Sequence, residues 1–217
     1  MKKGLFAVLL AVAMVVPAFA AKGDMSVNAK LGLGVNNSVS LDGSDVLAPK
    51  NQYYKYDMEM PVSIGAEFFY GLMDNLSVGL GVNYGFDSKS KNDDMLNQHS
   101  FKNKLKAGTT NIYLAVKPEA KIDSKIFSSI YLVGQIGLAM ARAEIDHNSG
   151  YPIPSIDVDS GLYLGFGIGT TIMDCIIVEL VCSSANLTAK ETLPFIPKDL
   201  DIQYTATTIN VGYKFAL

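Results

Sequence analysis

Lys30, Glu67, Glu179 and Lys214 are the residues whose types and placing invite chemistry, because each sits in a stretch that otherwise alternates apolar with small side chains. Two ammonium groups and two carboxylates in dry surroundings are stable only as hydrogen-bonded pairs, and removing one member leaves its partner buried and uncompensated. Such a set serves as a switchable ionic gate or as a neutral structural plug. His99 and His147 are the only histidines, and the run Asp146-His147-Asn148-Ser149 places a carboxylate, a base and a hydroxyl side by side. That suggests nucleophile–base catalysis, but neighbours in one turn seldom reach the mutual geometry a triad needs, and this is ordinary turn composition. Cys175 and Cys182 are seven residues apart, about 23 Å along a strand, whereas a disulfide needs Cα atoms within about 7 Å. There is no CxxC motif, so neither a metal site nor a cofactor site is expected, and the chain is read as a non-enzyme. The net charge of −3 comes with no basic stripe, which argues against nucleic acid as a partner.

The elements that carry these groups are strands. From residue 25 to residue 35 every second residue is apolar, a period that belongs to a strand with one greasy face. The same pattern returns at 76–86, 162–170 and 209–215, and less regularly at 58–71, 111–117, 129–143 and 176–184. On 58–71 it puts Met58, Met60, Val62, Ile64, Ala66, Phe68 and Tyr70 on the apolar side. Connections at 71–75 and 173–175 are tight and 118–128 is of medium length, while 37–57, 87–106, 145–159 and 188–200 are longer and polar. Eight strands, short turns at one rim and long loops at the other describe an all-β, up-and-down antiparallel barrel that crosses a membrane, with periplasmic turns and extracellular loops.

Which face is apolar outside decides the environment. The second face carries Gly32, Gly34, Gly79, Gly81, Gly85, Gly165, Gly167 and Gly169, with Ser26, Asn28, Asn83 and Asn210. A water-soluble barrel such as a lipocalin would clothe its outside in long polar side chains, whereas glycines suit the interior of a narrow barrel, where eight strands leave little room. The apolar face therefore meets lipid. Aromatic residues fall at its ends: Tyr84 and Phe86 toward the loops, and Phe68, Tyr70, Tyr213 and Phe215 toward the turns, as expected of interfacial girdles. Inward Tyr113, Tyr131 and Tyr163 either line a small cavity or fill space beside the glycines of facing strands. Counting along the strands pairs Lys30 with Glu67 and Glu179 with Lys214.

Residues 1–20 read as a secretory signal peptide: Lys2 and Lys3, an apolar stretch over 5–16, then Ala18-Phe19-Ala20 for cleavage after Ala20. Cleavage leaves residues 21–217 as one barrel domain and, with two lysines gone, a charge of −3 − 2 = −5.

The leader, the eight alternating segments, the unequal connections and the terminal Ile209-Asn-Val-Gly-Tyr-Lys-Phe215 resemble the small outer-membrane barrels typified by the OmpA transmembrane domain and OmpX. The resemblance covers nearly all of residues 21–217. It implies a bacterial outer-membrane location, contact with outer-membrane lipids including lipopolysaccharide, and recognition by the barrel-assembly machinery during biogenesis. Members of these families end in Phe or Tyr; here Phe215 stands in that role, followed by Ala216 and Leu217. The functional expectation is a non-enzymatic barrel with structural or surface-interaction duties carried by its extracellular loops, whose ligand the sequence does not name. The alternatives are a narrow route for small or apolar solutes, as in OmpW-like barrels, and a lipid A-modifying enzyme. Asn51-Gln-Tyr-Tyr-Lys-Tyr56 reads equally as a surface-contact segment or as a strand extension above the membrane.

Overall fold

A computed structural model describes residues 23–42, 53–91, 103–147, 158–189 and 200–217. Residues 1–20, parts of the four long connections, His99 and Ser149 lie outside that set. The strands are β1 (Met25–Asp42), β2 (Tyr53–Asp57), β3 (Val62–Met73), β4 (Leu76–Gly85), β5 (Ser88–Lys89), β6 (Asn103–Lys121), β7 (Phe127–His147), β8 (Gly161–Ile172), β9 (Ile176–Ala189) and β10 (Leu200–Ala216). Eight of them form an antiparallel ring in the order β1-β3-β4-β6-β7-β8-β9-β10, closed by a β1–β10 ladder running from Ser26↔Ala216 to Asp42↔Asp201. Closure matters because a backbone N–H or C=O without a partner in hydrocarbon costs several kcal/mol.

The ladder climbs as it goes round. From Lys30 one path leads through Gly65 and Asn83 to Asn111 on β6, and the other through Gly212, Ile177, Thr171 and Ser129 to Lys121 on the same strand. The two arrivals differ by 121 − 111 = 10 residues, which for eight strands corresponds to a tilt of about 40–45°. At that tilt the nine residues from Val62 to Tyr70 on β3, every second one outward, span on the order of 20–25 Å, the height of a lipid-facing band.

Several strands outrun that band. β7 has 21 residues, roughly 50 Å of height at the same tilt. Above the band the wall is completed by short pieces: β2 pairs with β1, β5 pairs with β6, and a Met58↔Ser90 bridge joins them. The Tyr53–Asp57 segment is thus a strand extension. Met58 corrects the sequence reading: β3 starts only at Val62, and Met58 turns inward with 1% of its surface exposed.

In this upper storey the polarity of the two faces is reversed. Below it the outward side chains are apolar, among them Leu31, Leu33, Ile64, Leu114, Leu164 and Ile209, all more than 40% exposed. Above it, Val39, Met58, Ala185, Leu187 and Ile202 point inward and are buried in one cluster, while Ser40, Lys55, Lys89, Asn186 and Gln203 face out. On β1 the switch is made by a bulge. The register jumps between Gly34 and Asn36, leaving Val35 as the extra residue, so odd-numbered apolar residues point out before it and in after it.

Deleting Val35 alone only makes the ladder regular, but deleting Val35 and Asn36 together moves Val39 from Tyr204 to the outward place opposite Thr205 and should therefore turn it toward water and set polar neighbours inside. Burying a side chain of this kind is worth about 1.5–3 kcal/mol, and we expect a loss of at least that size in urea unfolding of the refolded protein in vesicles. An unchanged midpoint would mean that the bulge does not set the facing of the upper storey.

Candidate functional site

The barrel interior at mid-height of the apolar band holds one ammonium between two carboxylates. The Lys30 Nζ lies 2.5 Å from Glu67 Oε2 and 2.5 Å from Glu179 Oε2, and all three side chains are buried. β1, β3 and β9 carry them to one level because the climb of the ladder offsets their sequence positions. The second oxygens are also held. Tyr113 Oη donates to Glu67 Oε1 at 2.9 Å, Tyr131 Oη donates to Glu179 Oε1 at 3.0 Å, and Gln135 and Asn28 reach Glu67 at 3.4 Å. Tyr163 Oη donates in turn to Gln135 Oε1 at 2.8 Å. Charge-assisted bonds of this kind are about twice as strong as neutral ones.

Glycines make room for these tyrosines. A Cβ on Gly81 would run into the Tyr113 ring, and one on Gly169 would come 2.5 Å from Tyr131 Cζ. The three tyrosines thus fill space beside glycines, and Tyr113 and Tyr163 also border a cavity of about 30 Å³ above Lys30. Gln135, Asn83, Asn210, Ser183 and Thr208 add polar groups to its lining. That volume admits one or two water molecules.

Lys214 does not take the partner that counting along strands assigned to it. Both carboxylates go to Lys30, and no ion pair joins Lys214 to Glu179 among the described residues. The tilt explains this: β10 and β9 pair at Asn210↔Glu179, so Lys214 lies four residues nearer the turn-side rim. Two charges were missed by reading alternation alone. Lys117 is the last residue of the short 111–117 run, and Glu119 lies beyond Pro118, yet both face the lumen. The Lys117 Nζ sits 4.6 Å from the Phe69 ring centre and 4.8 Å from that of Tyr131, with Glu119 Oε2 at 3.6 Å. Among the described residues the lumen then carries Lys30, Lys117 and Lys214 against Glu67, Glu119 and Glu179, three of each sign.

The aromatic residues occupy the outer wall. Phe68 and Phe215 flank Val27 on β3 and β10, Tyr70 lies opposite Met25, and Tyr213 opposite Ala29; Tyr213 and Phe215 are 4.7 Å apart. At the other rim Tyr84 and Phe86 meet edge to face at 5.2 Å, and the Arg142 guanidinium stacks 4.5 Å over Tyr84. Cys175 and Cys182 are free thiols, and His147 ends β7 opposite Asn103.

Lys30→Met leaves two buried carboxylates with no ammonium between them. Breaking a buried ion pair in this way costs about 3–5 kcal/mol, and the same drop is expected in the unfolding free energy measured in lipid vesicles. A loss below about 1 kcal/mol would show that the triad is not held dry.

The chain matches a family model described as the outer membrane protein beta-barrel domain over residues 6–215. Among solved structures it is similar to the outer membrane protein OprG of Pseudomonas aeruginosa, with 14% identity and a TM-score of 0.50 over 89% of this chain and 96% of that one. Ail of Yersinia pestis, solved with the heparin analogue sucrose octasulfate, shows 11% identity and a TM-score of 0.49 over 89% of this chain and 100% of that one. The Neisserial surface protein A gives 13% identity and 0.45 over 89% and 100%. At these identities the likeness is one of fold. No curated protein sequence matches the chain. A ring of eight tilted strands, apolar without and ionic within, together with the match over residues 6–215, makes this chain a member of the outer membrane protein β-barrel family, a protein of the bacterial outer membrane.

Proposed function

We propose that the protein is a non-enzymatic barrel whose closed body holds extracellular loops in place for structural or surface-interaction duties. The observation that carries this reading is the Lys30 triad, which fills the lumen at mid-height with groups already bonded to one another. A space of about 30 Å³ above it is too small for a solute beyond water. The upper storey supports the same reading, because an apolar core inside and polar groups outside make it a stiff stem beneath the loops. In this reading the aromatic residues at both rims meet the lipid headgroup regions, lipopolysaccharide among them, and Phe215 is the handle for the assembly machinery. Residues 1–20 are removed on export, so the protein from the outer-membrane fraction starts at Ala21.

One feature favours a second reading. The inward apolar groups Val39, Met58, Leu187 and Ile202 would suit a narrow route for apolar solutes entering from outside. That route would need an exit through the wall above the triad, and a deletion strain would show altered solute uptake with an intact envelope. A lipid A-modifying enzyme would instead shift the mass of lipid A on expression, and His147→Ala would abolish the shift.

The closed-body reading is tested in planar bilayers. Glu179→Gln should lower stability, because Tyr131 loses its charged acceptor and Lys30 one of its two carboxylates, yet it should pass no steady current. A large and stable current from that variant would reverse the preference for a plug over a gate.

A further inference from the structure

We propose that the lumen is sealed twice, and that Lys117, clamped between Phe69 and Tyr131, is a second barrier at a level separate from the Lys30 triad. The inference rests on the closed-body reading and adds a residue to it. The two sites are separate levels of one interior. Phe69 stands two residues beyond Glu67 on β3, Ile177 two residues before Glu179 on β9, and Lys117 four residues beyond Tyr113 on β6, all toward the turn-side rim. Phe69 and Ile177 are 2% and 1% exposed, and Lys117 is 3% exposed.

The physical character of the lower level differs from that of the triad. Its cation is held by ring faces at 4.6 and 4.8 Å, and its nearest carboxylate, on Glu119, stands off at 3.6 Å. Ring faces attract an ammonium through their quadrupole, most strongly where water is excluded. Small cations drawn toward Glu67 and Glu179 from the periplasmic side meet this fixed positive charge and the packed rings first. Anions that pass it meet the two carboxylates. Each level therefore rejects the ions the other would attract. The two are also tied mechanically, since Tyr131 offers its ring to Lys117 and its hydroxyl to Glu179 at 3.0 Å.

The test is conductance of refolded protein in planar bilayers, with Lys30→Ala, Lys117→Ala and the double variant compared with the unaltered protein. Gel mobility before and after heating selects those that fold. The inference expects both single variants to stay at the leak of bare lipid and the double variant to pass a steady, cation-selective current, because Glu67, Glu119 and Glu179 then dominate the lumen. Steady current from either single variant, or a folded double variant that stays silent, would overturn it. If the double variant does not fold, Phe69→Ala with Lys30→Ala removes one wall of the lower seat and is held to the same two outcomes. Current through the unaltered protein would reject the closed-body reading itself, which separates the two failures.

Discussion

In hydrocarbon a backbone amide has no water to turn to, and the β1–β10 ladder is where this chain meets that constraint. Once the two terminal strands pair, the ring has a fixed number of strands and a fixed climb, and the lumen is only as wide as eight tilted strands allow. Narrowness then dictates what lies inside. Gly81 and Gly169 give up their side-chain volume so that Tyr113 and Tyr131 fit, and those hydroxyls reach the outer oxygens of the two carboxylates that hold Lys30. The ionic centre is thus a consequence of closure as well as a feature of the residues that form it.

Much of this was legible in the chain. Alternation with glycine on one face and Leu, Ile and Val on the other marks strands in lipid, and it placed Lys30, Glu67 and Glu179 inside. Alternation carries no information about height, however. Lys214 and Glu179 sit on neighbouring strands, but the pairing of Glu179 with Asn210 puts Lys214 out of reach, and nothing in either strand announces that offset. Lys117 escaped notice for another reason: it stands beside Pro118, where the apolar pattern breaks off, so its inward phase has no downstream residue to confirm it.

The upper storey was hidden by a change of phase. On β9 the outward apolar residues are even-numbered at Ile176, Val178 and Leu180, with Ile177 already inward, and the later apolar residues are odd-numbered at Val181, Ala185 and Leu187. On β10 Ile202 and Ala206 give way to Ile209 and Val211. Read as one strand with one greasy face, such a segment loses its pattern and reads as loop. It is in fact one strand passing from lipid to water, where the apolar side must move from the wall to the axis. β1 keeps the phase of its sequence and reverses its geometry with the bulge at Val35. The strands that the sequence drew as 25–35 and 176–184 therefore run on to Asp42 and Ala189.

That reversal divides the molecule thermodynamically. Side chains of the lower wall face acyl chains, whereas Val39, Leu187 and Ile202 are withdrawn from water. Only the latter kind of burial carries the large heat-capacity change that bends a protein's stability curve with temperature. The stem above the membrane should weaken in the cold as an ordinary soluble domain does, while the ring below it, held by its hydrogen-bonded wall, is comparatively indifferent to cooling.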